Sequence, residues 1–156
     1  MKRIAAIILI MLLLCGCTAP KSGTPITCTL EIRCDTVLDR MDDLKEGKES
    51  LIPENGILLE TVTVSCIEGD SVFDVLRSEI MARKLHFDFT GTSNPYVRGI
   101  CNLYEFDCGE GSGWIYSVNG TVPSVGCGTY RIADGDVIVF AYTCDYGNDL
   151  GGEGLE

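Results

Sequence analysis

Apolar and polar residues alternate in three stretches of the chain, which predicts three half-buried β-strands. In Thr27–Cys34, residues Cys28 and Leu30 share one face, with polar residues opposite. The same period of two recurs in Ile57–Ile67 and in Gly113–Val118. Shorter apolar runs predict further strands at Leu85–Phe89, Tyr96–Ile100 and Val137–Cys144.

One segment has the period of a helix instead. Apolar residues recur every three or four positions in Val72–Ile80. Ser71 and Asp74 match a capping box, and the cations at the far end complement the helix dipole. We therefore predict a helix from Ser71 to about Lys84.

Turn-forming residues separate these elements. Asp42–Gly56 contains Pro53 and many charges, which predicts a surface loop after a helical turn at Val37–Met41. Asn119-Gly120 predicts a tight hairpin because both residues tolerate positive φ, and Gly147–Glu156 is expected to fray. One helix with several short strands indicates an α+β domain of β-grasp (ubiquitin-like) character: a mixed sheet, one main helix packed across it, and short hairpins.

The N-terminal end has the pattern of a secretory leader. Lys2 and Arg3 precede an unbroken apolar run, Ile4–Leu14. This run is shorter than the about 20 apolar residues of a transmembrane helix, so cleavage is favoured over the alternative, an uncleaved anchor.

The end of this leader resembles the lipobox of bacterial lipoproteins. In Leu14-Cys15-Gly16-Cys17 the last residue would become the lipidated first residue of the mature chain. We therefore predict that Cys17 carries a lipid and that the domain is extracytoplasmic, anchored to the bacterial cell membrane. The predicted organisation is a signal peptide (1–16), a tether (17–26), a folded domain (27–150) and a disordered tail (151–156).

Charge and histidine content exclude two classes of function. The formal net charge is −11, which repels phosphate backbones, so no nucleic-acid partner is expected. The single histidine, His86, lies in an apolar stretch and gives no Ser or Cys nucleophile an evident base. We therefore predict no catalytic residue and no enzyme.

The nine cysteines suit an exported chain, because disulfides persist outside the cytoplasm. Cys15 leaves with the leader and Cys17 takes the lipid, so an odd number remains and the connectivity stays open. Without a Cys-x-x-Cys pair, disulfides are favoured over zinc, and no metal site is predicted. Cys28 and Cys34 lie roughly 20 Å apart along one strand, too far to pair with each other. The disulfide candidates are Cys28, Cys34, Cys66, Cys101, Cys108, Cys127 and Cys144.

Several blocks of the sequence resemble the DUF4430 family of bacterial exported proteins, over about Ile26–Gly151. The blocks that carry the resemblance are Glu68–Leu76, Asn102–Gly109, Gly113–Gly120, Gly126–Tyr130, Asp134–Ile138 and Tyr142–Asp145. The resemblance implies a relationship to the C-terminal β-grasp domain of transcobalamin and intrinsic factor, which covers one side of bound cobalamin. Cobalamin is therefore a possible ligand.

The resemblance also has two departures. The chain lacks the large helical domain that forms the other half of the carriers' site, so a lone module would contact one face of a corrin at best. Cys66 and Cys101 stand where the family is expected to have other residues, which makes them a candidate pair special to this chain.

An aromatic stripe gives the candidate ligand-binding residues. Trp114 and Tyr116 share a strand face and could stack on a flat ligand or a sugar ring. The alternative is that the stripe packs beneath the helix, because strand aromatics mostly fill cores. Tyr130 has the same ambiguity, and the candidate site is Trp114, Tyr116 and Tyr130.

These observations favour a lipid-anchored module that binds a small molecule or an envelope protein. The alternative is a structural or adhesive component of the cell envelope, without a small-molecule ligand and joined to a partner through the unpaired cysteine.

Overall fold

The computed structural model describes residues 23–151. The signal peptide, the lipidation at Cys17, most of the tether, and residues 152–156 of the tail lie outside the described residues. No helix in 23–151 combines the length and the apolar character that crossing a bilayer requires.

In chain order the described elements are β1 (Pro25–Arg33), β2 (Ile57–Ile67), α1 (Val72–Arg83), β3 (Phe87–Thr90), β4 (Tyr96–Ile100), β5 (Leu103–Tyr104), β6 (Gly113–Val118) and β7 (Val137–Thr143). Short 3-10 helices span Asp35–Asp43, Glu49–Leu51 and Asn148–Leu150. The main sheet has the strand order β2-β1-β7-β6. Its central pair, β1 and β7, is parallel and its other pairs are antiparallel. The α+β, β-grasp prediction is therefore confirmed.

The helix packs on one face of this sheet, which we call the inner face. Val72, Leu76 and Ile80 of α1 are almost completely buried. They belong to the same core as Leu30 of β1 and Phe140 of β7. Burial of these side chains stabilises the domain because apolar surface leaves water.

The ends of α1 form as their sequence signals predict. Ser71 Oγ accepts a hydrogen bond from the Asp74 amide at 3.1 Å, and Asp74 Oδ2 accepts one from the Ser71 amide at 3.0 Å. Lys84 closes the helix in the left-handed conformation at φ 57°. The predicted helix is thus correct to within one residue at each end.

A second sheet, in the order β3-β4-β5, contacts the other side of the helix. Its centre of contact is a ring cluster: Phe73 of α1 lies 4.8 Å from Phe89 and 5.9 Å from Phe87, between ring centroids. Such edge and tilted ring pairs add to simple burial. This cluster fixes the small sheet against α1.

Three boundaries differ from the sequence predictions. β1 begins at Pro25, inside the predicted tether. The strand predicted at Leu85–Phe89 is observed as β3, Phe87–Thr90. Gly147–Leu150 does not fray, because the Asp149 carboxylate accepts hydrogen bonds from the Thr143 hydroxyl and from the Cys144 amide.

Candidate functional site

The aromatic stripe of β6 lies on the inner face of the main sheet and is part of the core. Trp114 is 8 % exposed and Tyr116 is 9 % exposed. The Trp114 indole donates to the Leu103 carbonyl at 3.0 Å, and its ring meets that of Tyr142 edge-on at 5.2 Å. The stripe therefore belongs to the core, where Trp114 contacts β5 and β7, and stacking of a ligand on a full ring face would need the core to open.

Tyr116 has its polar end satisfied inside the protein. Its hydroxyl donates to the Val125 carbonyl at 2.5 Å, and its ring stacks on Phe140 at 5.8 Å. Burial raises the pKa of Tyr116 to about 12, so the hydroxyl is protonated at neutral pH. Tyr130, which is half-buried, meets the Tyr116 ring edge-on at 6.5 Å. Tyr116 thus contacts one of the other two candidate residues, Tyr130.

A cavity of about 150 Å³ reaches the edges of two of these rings. It lies between 94–97 and Gly126-Cys127, and Trp114 and Tyr116 line it. Tyr96, which is 50 % exposed, also lines it and donates its hydroxyl to Glu105 Oε2 at 2.8 Å. We call this space the loop cavity. Tyr130 does not line it, so the structure brings together only two of the three predicted site residues there.

The walls of the loop cavity approach each other closely because of two glycines. A Cβ at Gly126 would lie 2.2 Å from Asn94 Oδ1, and a Cβ at Gly128 would lie 2.4 Å from Pro95 Cδ. Both distances are far below contact distance, so any side chain would displace the 94–95 turn. The loop cavity is therefore narrow, and its walls can approach this closely only because both positions are glycine.

A larger depression of about 270 Å³ lies on the opposite, outer face of the main sheet. We call it the outer-face depression. Its lining includes the cation Arg33 and five aliphatic residues: Ile115, Val122, Val139, Ala141 and Leu150. Tyr116, one of the predicted site residues, lines it as well. Ile115 and Val139 are half-exposed and alternate along β6 and β7 with the buried inner-face residues. Both faces of these two strands are thus apolar.

The polar end of this depression is an ion pair. Arg33 Nε donates to Asp35 Oδ1 at 2.6 Å, and a second guanidinium nitrogen contacts Oδ2. This pairing raises the pKa of Arg33 and lowers the pKa of Asp35, mainly through the hydrogen bond. The Arg33 side chain stays 41 % exposed. A charged donor is therefore available at the edge of an apolar surface.

Sequence reasoning missed the outer-face depression, although a signal was present. The outward side of an antiparallel strand pair is usually polar, whereas β6 and β7 place Ile115, Val137 and Val139 there. Aromatic content directed attention to the inner face instead.

Two further titratable residues, His86 and Asp107, have structural partners. His86 Nε2 lies 3.0 Å from the Tyr104 hydroxyl, and its Nδ1 accepts from the Asn102 amide at 3.3 Å. Asp107 is 3 % exposed and forms ion pairs with Lys45 and Lys48 at 3.2 and 2.9 Å. Burial alone would raise the pKa of Asp107, but the Tyr104 amide and the two ammonium groups lower it. No group of three or more His, Cys, Asp or Glu in 23–151 is arranged to hold a metal ion.

The cysteines are distributed through the core. Five of the seven candidates are buried, and Cys66 and Cys101 are half-buried. Cys66 lies beside Cys28, with 3.7 Å between the sulfurs. The structure therefore places Cys66 next to Cys28 instead of Cys101, its suggested partner.

Comparison with protein families gives one match. Residues 69–144 match the DUF4430 family, described as a domain of unknown function. The match runs from just before α1 to just after β7, so it confirms the resemblance for the helix, the small sheet and the β6–β7 pair. No curated protein matches the chain.

Two solved structures are similar to the chain. Haptocorrin in complex with Cbi is 17% identical with a TM-score of 0.54, and the match covers 79% of this chain and 26% of that one. The chain thus spans about a quarter of the haptocorrin chain, and the likeness shows a shared fold. A protein from Ruminococcus gnavus ATCC 29149, described as a candidate metal-binding protein, is 11% identical with a TM-score of 0.46, over 76% of this chain and 96% of that one.

Proposed function

We propose that this chain, whose residues 69–144 match the DUF4430 family, is a binding module and not an enzyme. The ligand would lie in the outer-face depression. One observation carries the proposal: β6 and β7 present an apolar surface on the face that α1 does not cover, with a depression of about 270 Å³ in it.

The lining of the depression defines the chemistry of the ligand. The aliphatic floor around Ile115 and Val139 would contact a flat apolar surface, and Arg33 would donate hydrogen bonds to a carbonyl or an acidic group at its edge. Pockets that enclose a small molecule have volumes of about 300–1,000 Å³. The depression is slightly smaller, so it would hold one side of a ligand and leave the other side to a partner or to solvent.

Cobalamin is the first ligand to test. The similar haptocorrin structure contains Cbi, and the sequence resembles the β-grasp domain of the vitamin carriers. A corrin ring is flat and has amide groups around its edge, which suits an aliphatic floor with one guanidinium. The fold likeness supports the choice of probe, and the ligand itself is part of the proposal.

The binding test uses the full chain, purified in detergent and titrated with cobalamin by equilibrium dialysis. We expect saturable binding by the parent chain. Ile115→Glu should weaken it at least tenfold, because a carboxylate would be buried in the apolar contact. Thr63→Glu is the matched control: it adds the same charge to an exposed position of β2, away from the depression.

Two results would contradict the proposal. Absence of cobalamin binding by the folded parent would exclude this ligand, and equal binding by Ile115→Glu would exclude the outer-face depression. Tyr96→Ala separates the two sites, because it alters the loop cavity alone. Loss of binding in that variant only would transfer the site to the loop cavity.

We also keep the extracytoplasmic, lipid-anchored location as part of the proposal. It rests on Leu14-Cys15-Gly16-Cys17. Metabolic labelling with radioactive palmitate should mark the parent chain, and Cys17→Ser should abolish the label. An unlabelled parent would contradict the anchor and leave the binding proposal untouched.

A further inference from the structure

The cysteines Cys28 and Cys66 lie on neighbouring antiparallel strands. The β1–β2 register pairs Ile26 with Cys66 and Cys28 with Val64, so the two cysteines are diagonal neighbours. Their sulfurs are 3.7 Å apart. A disulfide needs about 2.05 Å, so small rotations of the two side chains would bring the sulfurs to bonding distance.

A second pair, Cys108 and Cys144, is buried at one end of the main sheet. Burial and the neighbouring Cys108 thiol raise the pKa of Cys144. Both sulfurs also contact the same 3-10 helix: Cys108 donates to the Arg40 carbonyl at 3.6 Å, and Cys144 to Thr36 Oγ1 at 3.9 Å. The helix therefore holds the two thiols side by side.

Cys34 and Cys101 show no such contact among the described residues. Cys34 follows β1 and is completely buried in the apolar core, and Cys101 follows β4 at φ 51° and packs against that core. They are therefore not assigned as a pair.

Cys127 has no such neighbour among the described residues. Its thiol donates to the Pro95 carbonyl at 3.5 Å, and it lies near Tyr116. The geometry therefore gives Cys127 no partner for a disulfide.

We propose that the protein contains the disulfides Cys28–Cys66 and Cys108–Cys144, and that Cys127 remains a thiol. In each step two thiols lose two protons and two electrons, and one S–S bond forms. The oxidant is the disulfide of a thiol–disulfide exchange protein, which is reduced to two thiols in return.

The order of folding and oxidation follows from burial. Burial and the neighbouring Cys66 raise the pKa of Cys28 to about 12, so almost none of it is thiolate at neutral pH. Since only the thiolate attacks a disulfide, exchange must occur before the core closes or during its opening. The two bridges would then join β1 to β2 and the segment around Cys108 to the end of β7.

Peptide mapping tests this assignment. The full chain, isolated from cell envelopes, is denatured with iodoacetamide and without reductant, then digested and analysed by mass spectrometry. We expect two cross-linked peptide pairs, Cys28 with Cys66 and Cys108 with Cys144, each lighter than its reduced form by two hydrogens, and an alkylated Cys127. A different partner for any of these four cysteines, their alkylation, or a bridge at Cys127 would overturn the proposal.

Two single variants sharpen the map. Cys66→Ser should expose Cys28 to alkylation and leave the Cys108–Cys144 bridge intact. Cys127→Ser is the matched control, because it should remove the alkylated Cys127 peptide and leave both bridges. New pairings in the control would contradict the assignment. The pairing depends on the fold alone, so failure of the cobalamin test would not affect it.

Discussion

The two faces of the β6–β7 strand pair differ in what their apolar residues do. On the inner face, Trp114 and Tyr116 are buried and their polar atoms donate to backbone carbonyls. On the outer face, Ile115 and Val139 are aliphatic, half-exposed and gathered around a depression. Aromatic content therefore marks the core of this protein, and the accessible apolar surface is aliphatic.

The largest expected effect is on the inner face. Trp114→Ala should lower the free energy of unfolding by about 3–5 kcal/mol, because it opens a cavity and leaves the Leu103 carbonyl without its indole donor. Ile115→Ala, one residue away on the outer face, is the control and should cost less than half as much. Equal losses in urea unfolding would show that the faces do not differ in burial.

An isosteric change on each face gives the sharpest comparison. Val118→Thr places a hydroxyl in the core, where Val118 is 4% exposed, and should cost about 1–3 kcal/mol. Val139→Thr places the same hydroxyl on the half-exposed face and should stay within about 0.5 kcal/mol of the parent. Chemical unfolding of both variants measures the difference, and a reversed order would contradict the assignment of faces.

The smallest expected effect comes from the ion pair beside the outer-face depression. Arg33 lowers the pKa of Asp35 below 3.8, so the stability it contributes is complete above about pH 3.8 and is lost as the pH falls through the folded value. The contribution should be under about 1 kcal/mol because both side chains are about a third exposed or more.

Unfolding curves of the parent and Asp35→Asn between pH 7 and pH 2 test this expectation. The difference between them should be constant near neutrality and vanish at the acidic end. A difference that persists at pH 2 would show that Asp35 acts through packing instead of charge.

The elements with strong local signals were predictable from sequence. β2 alternates from Thr61 to Cys66, and α1 begins at a capping box formed by Ser71 and Asp74. Such signals depend on near neighbours in the chain, so the structure reproduces them within a residue. The β-grasp arrangement followed because these elements have few ways to pack.

Features that depend on distant residues were not predictable. β5 has two residues and follows positive φ at Cys101 and Asn102, which no pattern indicates. The regular conformation of 147–150 depends on the hydrogen bond that the Asp149 carboxylate accepts from the Thr143 hydroxyl. Similarly, the side of β6 that faces the core depends on how α1 docks. The candidate site was therefore predicted on the correct strand, and the choice between its faces required the tertiary structure.

The parallel β1–β7 pair at the centre of the main sheet has a consequence for biogenesis. The first strand has its inner partner at the far end of the described chain, with Leu30 opposite Ile138. The main sheet therefore cannot be completed until synthesis has delivered β7. Until then β1 lacks its parallel partner, so the core closes only late in the synthesis of the domain.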